Sequence, residues 1–296
     1  MDTMSFEDRI EARLPEMSPA EQRVVHYFQS HREEVLMASA ATLAAKADTS
    51  DATVVRATKA LGFSGLDELR CALADEMRRS LSPAERLTRT LGELGSVAAN
   101  ALDLALDVHL RSLEGLRRSI SPALFETAVD AIAGATRTVV FGLGPSGAIA
   151  DYLAIQLGRF GLDAISLTSA GVLFADDLQR LRAGDLIVMM AYGRVYAELA
   201  ALLDEIARRE LRSLLVTDTL AATLRRRVEL VLPVARGRSD MLSMHTATLG
   251  FIEGLLVGVA AKRPDETLAA LKALNEAREQ LAGKRSSLVL LANRPE

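Results

Sequence analysis

Ala41-Thr42-Leu43-Ala44-Ala45-Lys46-Ala47-Asp48-Thr49-Ser50-Asp51-Ala52-Thr53-Val54-Val55-Arg56-Ala57-Thr58-Lys59-Ala60-Leu61-Gly62-Phe63 reads as two short helices joined by a tight turn. Leu43, Ala44 and Ala47 set apolar groups at helical spacing, and the small Ala44 lets a second helix cross closely. Asp48-Thr49 supplies the turn, because Asp is one of the few residues besides Gly that tolerate a left-handed backbone. Ser50 stands where an N-cap belongs, and its hydroxyl can accept from the free amides of the next helix. Val54, Ala57 and Leu61 then point inward, and Gly62 ends the helix. The pattern is that of a helix-turn-helix or, read more plainly, of a two-helix corner in a helical domain.

In a helix-turn-helix the first turn of the second helix enters the major groove. That makes Ser50, Asp51, Thr53, Arg56 and Lys59 the expected DNA-facing residues, with Arg56 the side chain best shaped for bidentate contact to guanine. The partner would be double-stranded operator DNA. Residues 1–80 carry more Asp and Glu than Lys and Arg, so net charge supplies no strong phosphate attraction. Local placement of Lys46, Arg56, Lys59 and Arg70 would have to do so.

The segment belongs to a first, all-helical unit expected over residues 1–80. Ser18-Pro19-Ala20-Glu21 is a capping box with Pro at the first helical position, and Val24, Val25 and Phe28 follow as its apolar stripe. A second box, Ser82-Pro83-Ala84-Glu85, opens a helical linker over 81–120. There Leu102, Leu106, His109, Leu110, Leu113 and Leu116 make a stripe that could pack on the body or on another subunit. Ser121-Pro122 begins the next unit, expected over 121–284.

From residue 137 short buried runs alternate with helical stretches. Val139-Val140-Phe141, Ala164 to Leu167, Leu186 to Met190, Ser213 to Val216 and Glu229 to Val234 are five strands of a doubly wound, mainly parallel α/β sheet. Two helices follow, Leu242 to Ala261 and Pro264 to Ala282, with a loose tail over 285–296.

Ligands of such sheets bind beyond the carboxyl ends of the strands. Gly142-Leu143-Gly144-Pro145-Ser146-Gly147 follows the first strand and opens a helix, the arrangement that brings backbone amides to an anion. It is not a dinucleotide fingerprint, since Gly147 follows Gly144 too closely, and a ligand-free tight turn is the other reading. Tyr192-Gly193-Arg194 follows the third strand, with Arg194 either a clamp for phosphate or carboxylate or a solvated partner of Glu198. Thr217-Asp218-Thr219 reads as a helix cap. His245 is either a ligand contact or a buried, hydrogen-bonded histidine, and Arg236 and Arg238 are either ligand contacts or surface charges.

Composition narrows the classes. The chain has 296 residues, 49% hydrophobic and 25% charged, with net charge −4 and a single cysteine, Cys71. One cysteine excludes an intramolecular disulfide and a cysteine metal cluster. Four scattered histidines offer no ligand spacing, so no metal or cofactor is expected. The acidic N-terminus is no signal peptide, and no apolar run is long enough to span a bilayer. A cytoplasmic protein without membrane contact is expected.

Ser18 to Val24, Ser50 to Arg56, Leu61 to Leu66, Val139 to Gly147 and the Gly184-Asp185-Leu186-Ile187 strand start together resemble the RpiR-type (MurR/RpiR) transcriptional regulators. These join a helix-turn-helix to a sugar isomerase (SIS) domain. The resemblance covers nearly the whole chain and implies a homodimeric or homotetrameric regulator, not an enzyme, whose body senses a phosphosugar or another anionic carbohydrate derivative. Taken together with the loops and the histidine read above, it makes Gly142, Gly144, Ser146, Gly147, Tyr192, Gly193, Arg194 and His245 the expected effector-binding residues. Two places depart from the pattern. The phosphate loop, usually rich in Ser and Thr, here offers Met190, Tyr192 and Val195 around Gly193. The helix-turn-helix has Asp48 where Gly is common and Ala57 where an aromatic often follows Arg. The competing expectation is a phosphosugar isomerase with an accessory helical domain, for which Glu198, His245 and Glu253 would supply acid–base chemistry.

Overall fold

The computed structural model describes residues 6–79, 82–95, 97–238 and 240–292. Six helices make a head: α1 (Phe6–Arg13), α2 (Pro19–Ser30), α3 (Arg32–Met37), α4 (Ala40–Lys46), α5 (Asp51–Ala60) and α6 (Leu66–Arg79). Their starts are chemically marked. Ser18 caps α2 in the expected box, its amide donating to Glu21 Oε2 at 3.0 Å, and these bonds hold the Glu21 carboxyl below its usual range. Ser39 caps α4 and Ser50 caps α5. Between these two helices Asp48 sits at φ +49°, the left-handed turn its short polar side chain permits. Phe6, Val24, Phe28, Leu36, Leu43, Val54, Leu61 and Leu69 form a core that belongs to the head itself.

Two helices lead out of the head. α7 (Pro83–Leu94) begins at the Ser82–Glu85 box, and α8 (Ala101–Ser119) is a five-turn helix. α8 buries Val108 but leaves Leu102, Leu106 and Leu110 exposed at 66, 47 and 60%. The expected stripe is therefore split: Leu116 packs toward the body core, and three leucines spaced four apart remain on one open face. α9 (Pro122–Ala133) follows, capped by Ser121.

The body is a five-stranded sheet, ordered β2-β1-β3-β4-β5 and parallel throughout. Its strands are β1 (Arg137–Gly142), β2 (Ala164–Leu167), β3 (Asp185–Met190), β4 (Arg212–Thr217) and β5 (Leu230–Pro233), joined through α10 (Pro145–Arg159), α11 (Phe174–Gln179), α12 (Ala197–Arg209) and α13 (Ala221–Leu224). Successive residues face opposite layers. Val140, Val188, Met190 and Val216 pack with α9, α10 and α14 (Thr246–Lys262), whereas Val139, Phe141, Ile187 and Leu215 pack with α11 and α12. α14 approaches its neighbours through Gly250, Gly254 and Gly258, against Leu113, Phe125 and Val129. It starts at Thr246, not Leu242, and Leu242 to His245 belong to no helix. α15 (Pro264–Ala292) continues past the stop expected at Ala282. Residues 293–296 of the expected tail lie outside the described residues. No helix among the described residues is long and apolar enough to cross a membrane.

The strand order reverses between β1 and β3, since β2 lies outside β1 on one side and β4 and β5 on the other. The crevice beyond their carboxyl ends is where open α/β sheets take ligands.

Candidate functional site

Two places carry chemistry, one on the head and one at the reversal of strand order. On the head, α5 turns Val54 and Ala57 into the core and leaves Asp51, Ala52, Val55, Arg56 and Lys59 outside. Ser50 remains at the mouth of the helix, its hydroxyl bonded to Thr53 Oγ1 at 3.0 Å. Thr53 itself is turned inward, at 5% exposure. Its hydroxyl also accepts from Arg56 Nη2 at 3.1 Å, so Thr53 orients two outward neighbours instead of reading bases. Arg56 stays 62% exposed, 3.8 Å from Glu21. Val55, at 41% exposure, is an outward apolar side chain that sequence periodicity did not single out. On a groove-facing surface such a group meets the thymine methyl.

Two basic residues named as phosphate contacts have protein partners, and one of them is buried. Arg70 is buried at 7% exposure, where its guanidinium donates to the carbonyls of Val35 and Ala38 and pairs with Asp67. Burial pulls its pKa down against that pair. It fastens α6 to the end of α3 and has no free face for DNA. Lys46 is paired with Glu34 at 2.7 Å.

In the body, Gly142 ends β1 under close constraint. A Cβ there would stand 2.3 Å from the Ser146 carbonyl oxygen and 2.9 Å from the Gly147 nitrogen. Gly144, at φ +56°, turns the chain into α10. The Ser146 and Gly147 amides donate back to Leu143 and Gly144 at 3.2 and 2.9 Å. Those two amides are thus spent on the turn. The Ser146 hydroxyl, on a residue 7% exposed, has no hydrogen-bond partner among the described residues.

The loop after β3 turns differently from the Ser/Thr-rich pattern. Tyr192 folds back into the body, and its hydroxyl meets Thr248 Oγ1 of α14 at 2.9 Å. Burial raises its pKa, with that bond acting the other way. The Arg236 guanidinium lies 4.5 Å from the Tyr192 ring centroid, and the His245 ring meets its edge at 5.6 Å. Asp218 joins the parts: Oδ1 accepts from the Gly193 amide at 3.3 Å, and Oδ2 accepts from Arg236 Nε at 3.0 Å. Asp218 and Arg236 thus tie the ends of β3, β4 and β5 together, whereas the sequence offered Asp218 only as a helix cap. No side chain caps α13, whose N-cap is Leu220; the Thr217 Oγ1 instead accepts from the Leu220 amide at 3.1 Å and closes the turn after β4.

Arg194 stands exposed at the mouth of this crevice, its guanidinium 5.8 Å from the Tyr196 ring. The expected alternative pairing with Glu198 is absent among the described residues, because Glu198 Oε1 accepts from the Gly171 amide at 2.8 Å. That bond holds the Glu198 carboxyl below its usual range. Glu253 lies apart, accepting from the Tyr152 hydroxyl at 3.3 Å on the surface.

His245 is the one imidazole of the crevice. Its Nδ1 is buried with no hydrogen-bond partner among the described residues. Burial, and then the Arg236 cation, push its pKa below 6.5, with Asp218 opposing. The folded state therefore favours the neutral ring. This contribution to stability is complete above the unfolded value and is lost as pH falls through the depressed folded one. We expect the urea midpoint of the body to drop on acidification below about pH 6.5, and His245→Gln to flatten that part of the profile. An unchanged profile in the variant would clear His245 of the effect.

The comparisons with known proteins agree with this division of the chain. The family model described as "Helix-turn-helix domain, rpiR family" matches residues 4–80, and that of the SIS domain matches residues 131–257. The bifunctional protein glk of Paraburkholderia xenovorans is 27% identical over 277 residues, 92% of this chain and 42% of that protein. The chain thus spans less than half the length of such relatives. The HTH-type transcriptional regulator HexR of Pseudomonas aeruginosa is 30% identical over 190 residues, 62% of this chain and 63% of that protein. Among solved structures, the sugar isomerase domain of the RpiR transcription factor from Sphaerobacter thermophilus matches with a TM-score of 0.55 and 25% identity, covering 60% of this chain and 99% of that one. The Vibrio vulnificus NanR protein complexed with ManNAc-6P shares the fold, with a TM-score of 0.54 and 20% identity over 94% of this chain and 99% of that one.

Proposed function

From a chain that belongs with the RpiR-type regulators, an rpiR-family helix-turn-helix joined to a SIS domain, we propose a DNA-binding transcriptional regulator whose body senses a small anionic metabolite. The observation that carries this reading is the outward face of α5. Five residues, Asp51, Ala52, Val55, Arg56 and Lys59, stand free of the core behind a left-handed turn, on a head with its own hydrophobic interior. Ser50 and Thr53 act with them by holding the start of the helix and the Arg56 side chain.

The effector site we assign to the reversal of strand order, with Gly142, Gly144, Ser146, Gly147, Gly193 and Arg194 at its mouth and Tyr192 and His245 beneath. Its chemistry suits an anionic carbohydrate derivative, including a phosphosugar: one unpaired hydroxyl at a helix N-terminus and one exposed guanidinium. The inward Tyr192 leaves no Ser/Thr cradle on the β3 loop, so Arg194 carries the anion contact. Neither Glu198, committed to Gly171, nor the surface Glu253 faces this crevice as an acid–base pair, which supports sensing over catalysis. The open leucine face of α8 serves self-association into a homodimer or homotetramer, which also doubles the DNA contacts of a head poor in net positive charge.

The test is fluorescence anisotropy of the chain on DNA upstream of its own and neighbouring genes, with scrambled DNA as control. Selective binding is the expected result. Its absence, with and without candidate effectors, would remove the reading. Arg56→Ala should weaken specific binding by about 1–3 kcal/mol, the scale of one good base contact. Val55→Ser should lower affinity for sites with thymine at the facing position and spare others. Unchanged affinity in both would displace α5 from the groove.

A further inference from the structure

Where head and body meet lies a second cavity, of about 430 Å³. None of the mouth residues of the crevice at Gly142 and Arg194 line it, although Asp218 and Arg236 border both. Its walls carry six cations from four parts of the chain: Lys46 of α4, Arg86 of α7, Arg111 and Arg118 of α8, and Arg236 and Arg238 after β5. Two carboxylates face the same space, Glu34 and Asp218. Both are already engaged, Glu34 by Lys46 and the Tyr27 hydroxyl, and Asp218 by Arg236 and the Gly193 amide.

Several of these cations have carboxylate partners of their own, Lys46 in Glu34 and Arg236 in Asp218, which an incoming anion would have to share. Arg238 is paired outward with Asp240 and Glu93, and Arg111 meets Asp107 only at 3.9 Å. The Arg118 guanidinium has no ion pair or hydrogen bond among the described residues. Arg86 donates to Ser243 Oγ at 3.1 Å, which leaves the Ser243 proton available to an acceptor in the cavity. Val108 and Leu116 give an apolar wall. Converging guanidinium groups beside a small apolar surface, in a volume of this size, are the make-up of a small-molecule site. Walls on several sides suit a small ligand and not a duplex.

We propose that this cavity is a second anion site, taking a small molecule with two anionic groups, of the bisphosphate class, that bridges head to body. One group would be held by Lys46 from the head and the other by Arg118 and Arg236 from the body side. Occupancy then fixes how the helix-turn-helix stands on the sheet. Arg236 also makes the two sites talk to each other: it pairs with Asp218, which receives the Gly193 amide, and it covers the Tyr192 ring. A ligand that recruits Arg236 alters the support of the β3 loop, and the effect on affinity is mutual.

The experiment uses the full chain without DNA, so it stands or falls independently of operator binding. Inorganic pyrophosphate is titrated by calorimetry at ionic strength matched with potassium chloride, and hydrogen exchange is followed with and without it. Saturable binding at one site per chain is expected, weakened about tenfold or more by Arg118→Glu and by Lys46→Gln, the scale of one lost charge-assisted contact. Arg194→Ala should leave it unchanged. Exchange should slow in α4 and α8 together. Circular dichroism and unchanged apo melting certify the exposed-site variants as folded. No heat beyond the salt control, or binding indifferent to both Arg118→Glu and Lys46→Gln, would overturn the site. Binding lost on Arg194→Ala would move the anion to the other crevice, and protection confined to the body would overturn the bridge.

Discussion

Arg137→Met will destabilise the body by about 3–5 kcal/mol, the cost of leaving one partner of a buried ion pair uncompensated. Arg137 opens β1 and Asp185 opens β3, directly across the ladder from each other. Their contact is two-pronged, Nε to Oδ1 at 2.8 Å and Nη2 to Oδ2 at 2.7 Å, with side chains 7 and 3% exposed. Each has a further bond: Arg137 Nη2 donates to the Arg180 carbonyl at 2.9 Å, and Asp185 Oδ2 accepts from the Arg182 amide at 2.7 Å. The hydrogen bonds to Asp185 also raise the Arg137 pKa. Arg137→Met with Asp185→Leu should recover most of the loss, because removing both charges is far milder than removing one. It should fall short by about 1 kcal/mol for the Arg182 amide left without its acceptor. Urea unfolding of the single and double variants measures both. A single variant within 1 kcal/mol of the parent would show that water reaches the pair. Since the pair lies at the amino ends of the strands, DNA selectivity and effector affinity should persist in whatever fraction remains folded.

Gly142→Ala has the larger functional effect. The added methyl would stand 2.3 Å from the Ser146 carbonyl oxygen and 2.6 Å from its carbon. Both are backbone atoms at the start of α10, and neither can swing aside as a side-chain tip could. The loop must open, shifting the Ser146 hydroxyl and the helix N-terminus that face the crevice. Overpacking of this kind costs about 1–3 kcal/mol, and the thermal shift given by the effector should vanish. Gly144→Ala, with no atom within 4 Å of its new Cβ but a φ of +56°, should strain the turn and retain a reduced shift. Equal shifts in Gly142→Ala and the parent would show that the Gly142 turn does not shape the site.

What could be read from the residues alone was whatever depends on local chemistry. Asp48 at a left-handed φ, Ser18, Ser50, Ser82 and Ser121 as caps, and the five strands all follow from short stretches. Side-chain direction on α5 did so only in part. Helical periodicity set Val54, Ala57 and Leu61 inward, where they lie, but it left Thr53 among the outward residues and gave Val55 no role. Packing on α2 decides those two, turning Thr53 in and Val55 out. Arg70 looked like a surface cation because burial of a guanidinium requires the Val35 and Ala38 carbonyls, more than thirty residues away in sequence. Asp218 and Arg236 meet only because β4 and β5 are neighbours, a fact of topology that spacing does not encode. The α8 stripe was visible as a stripe, but its division into buried and open parts depends on where α14 crosses it.

Among the described residues α7 is held to the loop ahead of α14 by Arg86 to Ser243, by the Leu242 amide to Thr90 Oγ1 at 2.9 Å, and by Arg238 to Glu93. Mechanically this makes α7 a lever whose fulcrum is the floor of the crevice we propose as the effector site. The loop ends at His245, beneath Tyr192, so anything that displaces the imidazole also displaces the fulcrum. A twelve-residue helix is about 18 Å long at 1.5 Å per residue, and a tilt of about 10° would carry its far end about 3 Å. In a two-fold assembly the two heads would move in opposite senses, changing their separation by about twice that, against half-sites that a duplex holds about 34 Å apart. A motion smaller than one side chain at the crevice could thereby put the heads out of step with the helical repeat.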